Sequence, residues 1–297
     1  MAIEHRDEDL SGSRFERVDL TGSAFTDVRL RDARITDANL SGVELRDVLW
    51  RGGRIRGVEM LDVEITGELE NVTVNGVEIG PLVDAELARR YPEYGLLRPT
   101  TAAGLRAVWP VLEEQWDRTV ARARTLAAHD PDLLHESVDG EWSFIETLRH
   151  MLFVTDSWVR RGLLGDPRPW HALDLPWDQM PDTPGVPRDR AVRPGLDDVL
   201  AVRADRQAGV RDYLATLTDE QLAGSTVPVE GPGWPPVRAF PVTEPLHVLL
   251  NEEWWHRRFA ERDLAVLARR AGIDLGAEDG GTAPAGRHGD RGHQEER

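Results

Sequence analysis

Glu252 and His256 stand four residues apart in the segment EPLHVLLNEEWWHRRFAERDL. On a helix, that spacing brings a carboxylate oxygen and an imidazole nitrogen to the same point in space, a common arrangement for holding a divalent cation. Leu246, Leu249, Glu252, His256, Phe259 and Leu267 share one helical stripe, so two polar groups interrupt an otherwise apolar face. Such groups are costly to bury unless paired or bound to a metal. A second stripe, Thr147, His150, Val154 and Trp158, puts another imidazole where a neighbouring antiparallel helix would converge. His150, Glu252 and His256 are the candidate metal ligands. Spacing alone fits equally well a satisfied core histidine beside a surface Glu252–His256 pair. Glu253, three residues before His256, is an alternative to Glu252. His247 is half a turn out of phase with His256 and reads as a packing or hydrogen-bonding residue. His171 lies in a loop and is either solvent-facing or a substrate or proton-transfer group. Trp142, Trp254 and Trp255 line a pocket or anchor the core.

Four long helices would position these residues. The first is expected over 101–128, beginning in earnest at Pro110, because proline suits a first turn and kinks an interior. The second opens at Ser143 with Glu146 three residues on, a capping box, and ends at Gly165. The third runs over 196–217, and the fourth over 243–271. Between the second and third lies DPRPWHALDLPWDQMPDTPGVPRDRAVRP, too rich in proline for a helix, which is expected to pack over the bundle or form a lid. Four helices with one long crossover make a bundle.

The N-terminal region has a different period. Leu10, Phe15, Leu20, Phe25, Leu30, Ile35, Leu40, Leu45, Trp50, Ile55, Met60 and Ile65 place a large apolar residue at every fifth position, with a small or β-branched residue two places before each one after Leu10. Neither a helix nor a strand keeps a period of five on one face. The pattern fits a solenoid. Segments such as ARITDANLSGVELRDV resemble the pentapeptide-repeat family, and the resemblance implies a right-handed quadrilateral β-helix of roughly three coils with its large residues stacked inward. NVTVNGVEIGPL, alternating around Asn75-Gly76, reads as a hairpin closing the open end. The expected organisation is an N-terminal arm (1–9), a β-helix with capping hairpin (10–80), a linker (81–99), an all-α four-helix bundle (100–275) and a disordered tail (276–297).

Composition excludes several chemistries. The 297 residues contain no cysteine and no lysine, which removes a thiol nucleophile of the chain's own, cysteine-ligated metals, a Walker-A loop and Schiff-base catalysis. A net charge of −17 argues against wrapping nucleic acid. The repeat carries little of that charge, so it is not read as an acidic mimic of DNA. The start MAIEHRDEDL has no apolar leader and no run is long enough to span a bilayer, so the expected location is the cytoplasm, with no membrane partner.

EWSFIETLRHMLFVTDSWVRR, followed about 90 residues later by LHVLLNEEWWHRRFAERDL, resembles the DinB-like superfamily of metal-binding four-helix bundles, which includes bacillithiol transferases and mycothiol-dependent maleylpyruvate isomerases. Many members carry His on the second helix and His-x-x-x-His on the last. Here Glu252 replaces the earlier His, a set that also occurs in the isomerase branch. The resemblance implies a divalent metal, zinc first with nickel or iron next, that activates a mycothiol-like low-molecular-weight thiol for S-transfer to, or isomerisation of, a small electrophile. The alternative is a noncatalytic metal-binding bundle whose repeat domain serves as an interaction scaffold for a protein partner or a second copy in a homodimer.

Overall fold

The structure is a computed structural model, and it describes residues 3–45, 48–67, 69–178 and 180–276. Contacts divide the chain into two compact units, Met1–Thr66 and Gly67–Arg297. The expected tail, apart from Gly276, lies outside the described residues.

In the first unit the period of five is written in the backbone. Asp7, Gly12, Arg17, Gly22, Asp27, Asp32, Asp37, Gly42, Gly52, Gly57 and Asp62 all have positive φ, one corner at each described fifth position. Glycine and aspartate tolerate that left-handed conformation better than most residues. Turns close from Leu10, Leu20, Leu30 and Leu40 onto the amide three residues on, and the Asp9, Asp19 and Asn39 side chains accept from the amides two residues on. The expected inward stacking is not seen among the described residues. No strand occurs there, and Phe15, Phe25, Ile35 and Trp50 are 57–65% exposed. The corners are set locally by residue type, whereas stacked coils also require backbone hydrogen bonds between successive coils, and none is present among the described residues.

The second unit opens with a hairpin, β1 (Thr73–Val74) paired antiparallel with β2 (Val77–Glu78) around Asn75 and Gly76, both at positive φ. The hairpin groups with the helical unit, not with the repeat it was expected to cap. Helix α1 (Gly80–Arg90) and a 3-10 turn (Pro92–Leu96) follow, and the supposed linker inserts Tyr91 and Leu97 into the helical core.

The bundle consists of α2 (Ala102–His129), α3 (Phe144–Thr155, continuing as a π-helix over Asp156–Leu163), α4 (Leu196–Thr216) and, after the short α5 (Asp219–Leu222), α6 (Thr243–Ala271). Each of the four long helices packs against two others: α2 and α3 each lie between α4 and α6. Helix α2 begins eight residues before Pro110. Its N-cap Thr101 accepts from the Gly104 amide, and burial of Ala102, Leu105, Val108 and Trp109 outweighs the hydrogen bond that proline removes. Trp116, Leu126, Leu148, Leu152, Leu249, Trp254 and Leu264 fill the centre, each 2% exposed or less. No helix of the described residues is long and apolar enough to cross a membrane.

Candidate metal centre

Helix α3 is phased by its first turn. Ser143 accepts from the Glu146 amide and the Glu146 carboxylate accepts from the Ser143 amide, and this start places His150 two turns further on, facing α6. The imidazole is buried, and its Nδ1 donates to the Leu175 carbonyl at 2.9 Å. That bond fixes the tautomer and leaves the Nε2 lone pair free, the orientation a metal-binding histidine needs. Nε2 lies 3.8 Å from Glu252 Oε2, and His256 Nε2 lies 2.9 Å from the same oxygen. One donor atom from each residue falls within 4.8 Å of the others, the one group of three or more such side chains among the described residues. Two imidazole nitrogens and a carboxylate suit a borderline divalent ion.

Electrostatics favour the ligand-competent forms of two of the three residues. Burial pushes the His150 pKa down, which favours neutral imidazole. For Glu252, burial is the largest single effect and pushes upward, but the two imidazoles beside it, His150 and His256, the latter at 2.9 Å, outweigh burial and hold the carboxyl below the usual range. Trp142 lies over both rings, with its centroid 4.5 Å from His150 and 5.9 Å from His256, nearly parallel to the latter.

The Pro-rich segment supplies the carbonyl on His150 and is tied down by a buried cation. Arg149 donates from Nε to the Leu173 carbonyl (2.8 Å), from Nη1 to Val192 (3.1 Å) and from Nη2 to Asp189 (2.6 Å). Leu175 also donates its amide to the Arg149 carbonyl at 3.2 Å. The segment is a strap along α3 fastened at Arg149 and His150.

The sequence profile of the DinB superfamily matches residues 111–260, half of the chain and all three candidate ligands. The chain belongs to the DinB superfamily. Eight pentapeptide repeats match over residues 9–48, within the periodic stretch that continues to Ile65. No curated protein and no solved structure shows significant similarity to the chain.

Within the DinB domain the two adjacent glutamates part. Glu253 is buried on the opposite side, 2.5 Å from Arg203 Nη2, and Arg203 stacks over Trp116. The structure brings Glu252, not Glu253, to the histidines. His247 bonds through Nε2 to the Pro99 carbonyl at 2.9 Å and does not join the ligand set. His171 is half-buried and accepts from the Leu173 amide at 3.2 Å, so it shapes the strap without reaching the ligands. Trp254 is core, edge-on to Tyr91, and Trp255 packs on Phe259. Sequence reasoning missed the Leu175 carbonyl, since a backbone acceptor has no residue signature, and the Arg203–Glu253 pair, since its members lie 50 residues apart. A cavity of about 340 Å³ opens beside Glu252, walled by Arg98, Thr243, Glu244, His247, Val248 and Asn251. Its walls come from the start of α6 and the residue before Pro99, not from the 166–194 strap expected to roof it.

Proposed function

We propose that the DinB domain holds one divalent transition metal on His150 Nε2, Glu252 and His256 Nε2 and uses it to activate an external low-molecular-weight thiol, mycothiol-like in kind, against a small electrophile. The observation that carries this reading is the convergence of the three donor atoms with the His150 tautomer already set by Leu175. When bound, a metal with three protein ligands supplies an open position at which a thiol loses its proton at neutral pH. The chain has no cysteine, so the sulfur must come from the cosubstrate. The residues themselves do the rest. His150 is oriented by Leu175, Glu252 contributes negative charge against a cation, Trp142 keeps bulk water off the two imidazoles, and the cavity beside Glu252 gives the electrophile room. The sulfur lone pair forms a C–S bond with the electrophilic carbon, whose leaving group or π-bond takes the displaced electron pair.

Metal analysis of the purified full chain tests this, wild type beside His256→Ala. About one zinc, nickel or iron per chain in wild type and loss in the variant are expected. No metal in wild type after reconstitution overturns it. With metal established, thiol conjugation of a small electrophile should require Glu252 and vanish in Glu252→Ala.

A second reading is favoured by the repeat. Of its fifth-position side chains, Phe15, Phe25 and Ile35 are more than half exposed and call for a cover. In this reading the repeat recruits a protein partner or a second copy that covers those side chains, and the metal only stabilises the bundle. A metal-loaded protein with no thiol-dependent activity would favour it.

A further inference from the structure

Asp174 sits in the strap between the two residues whose carbonyls fasten it to α3: Leu173, which receives Arg149 Nε, and Leu175, which receives His150 Nδ1. Its side chain is fully buried, and neither carboxyl oxygen receives a hydrogen bond of normal geometry. A lone carboxylate in such a place carries a large desolvation cost. The group facing it is another carboxyl, Asp156, the first residue of the π-helix and equally buried. Arg206 grips Asp156 with Nε on Oδ1 at 2.7 Å and Nη2 on Oδ2 at 3.0 Å, and Arg160 Nη1 lies 3.5 Å from the same Oδ1. Burial pushes the Asp156 pKa up, but both cations pull against it, so of the two carboxyls Asp156 is the one whose ionised form is favoured. Two ionised carboxylates do not share a buried contact, so the proton belongs to the member without a cation.

We propose that Asp174 is a neutral carboxylic acid that donates its proton in a hydrogen bond to Asp156, and that this bond seats the strap so that the Leu175 carbonyl holds His150 in its ligand tautomer. Asp174 is thus a positioning residue for the metal centre, and in this respect the inference rests on the reading of His150 as a ligand. The charged and titratable neighbours are Asp156, Arg206, Arg160, Arg149 and His171. Burial and the Asp156 charge push the Asp174 pKa well up, and the His171 backbone and Arg206 offset only part of this. The strap then has three points on α3 and its π-helical extension: Trp170 Nε1 on Ser157 Oγ at 3.1 Å, Asp174 on Asp156, and Leu173 and Leu175 on Arg149 and His150.

Asp174→Asn keeps the size and an N–H donor toward Asp156, and Asp174→Ala removes both. Infrared spectra of the full chain at pH 7 should show the carbonyl band of a protonated carboxylic acid, absent in Asp174→Asn. Cobalt(II) titration should give Asp174→Asn an affinity within about twofold of wild type and Asp174→Ala one weaker by about 10–100-fold, the range typical for loss of a partner that orients a metal ligand. No acid band in wild type, or an Asp174→Ala protein that binds cobalt as tightly as wild type, overturns the inference. If Asp174→Ala does not fold, the infrared comparison with Asp174→Asn still decides whether the proton resides on Asp174. Wild type that takes up no cobalt overturns the metal-centre reading and the positioning role together, and leaves the infrared band to decide the shared proton.

Discussion

Two adjacent glutamates on one helix do different work because one residue step on a helix turns a side chain by about 100°. Glu252 faces two imidazoles, while Glu253 faces the Arg203 guanidinium in the core. Breaking a buried pair strands the other charge, so Glu253→Gln should cost roughly 3–5 kcal/mol in denaturant unfolding while metal content stays that of wild type. Glu252→Gln should do the converse, removing metal with a smaller effect on stability. The imidazole of His150 makes a pH prediction for the metal-free protein. Its folded pKa is lowered by burial, so the unfolded chain binds the proton more readily. Stability linked to this group is therefore complete above the ordinary histidine pKa of about 6.5 and is lost as pH falls through and below it. Thermal unfolding of metal-free wild type between pH 7.5 and 5.5 should show a falling midpoint, and the fall should be shallower in His150→Gln. An equal slope in the two proteins would remove His150 as its source.

The elements differ in how plainly the sequence announces them, and the reason is range. The Ser143–Glu146 box and the Gly272 cap are local chemistry, and the start of α3 and the end of α6 follow from them. Ser143→Ala should lower stability by about 1 kcal/mol, measurable by urea unfolding. The ligand stripe was legible for the same reason, since i, i+4 spacing needs only a helix. The start of α2 was not, because Pro110 speaks against an interior position and only tertiary burial of Leu105, Val108 and Trp109 overrides it. The π-helical end of α3 and the strap's course were also hidden. A chain that bonds through backbone carbonyls to a distant arginine has no periodic signature. Arg149 is the residue that makes this non-local structure, since it donates to three carbonyls between 173 and 192. Arg149→Met should leave those buried acceptors unpaired, cost on the order of 3 kcal/mol, and open the strap to protease cleavage before the helices are cut.

At the scale of the whole molecule, the two units are built by different means. The repeat makes its turns from side chains and amides two or three residues apart, and its large side chains stay exposed. The second unit makes long-range contacts. Every buried core side chain among the described residues lies between Tyr91 and Ala268, so the repeat contributes none of them. The polar machinery is equally self-contained: the candidate ligands, the strap, the Asp156–Asp174 contact and the Arg203–Glu253 pair all fall between residues 149 and 256. A unit that owns its whole core has the character of an autonomous domain. A chain of residues 67–276 should therefore unfold cooperatively, with a midpoint within a few degrees of the full chain's helical transition, and should carry the same metal per chain. The exposed row of the repeat predicts the complementary behaviour for the part removed. If these side chains are covered by a second copy, the full chain should sediment as a dimer and residues 67–276 as a monomer. A dimer of equal affinity in both would move the interface to the bundle and leave the repeat's apolar row for a different protein.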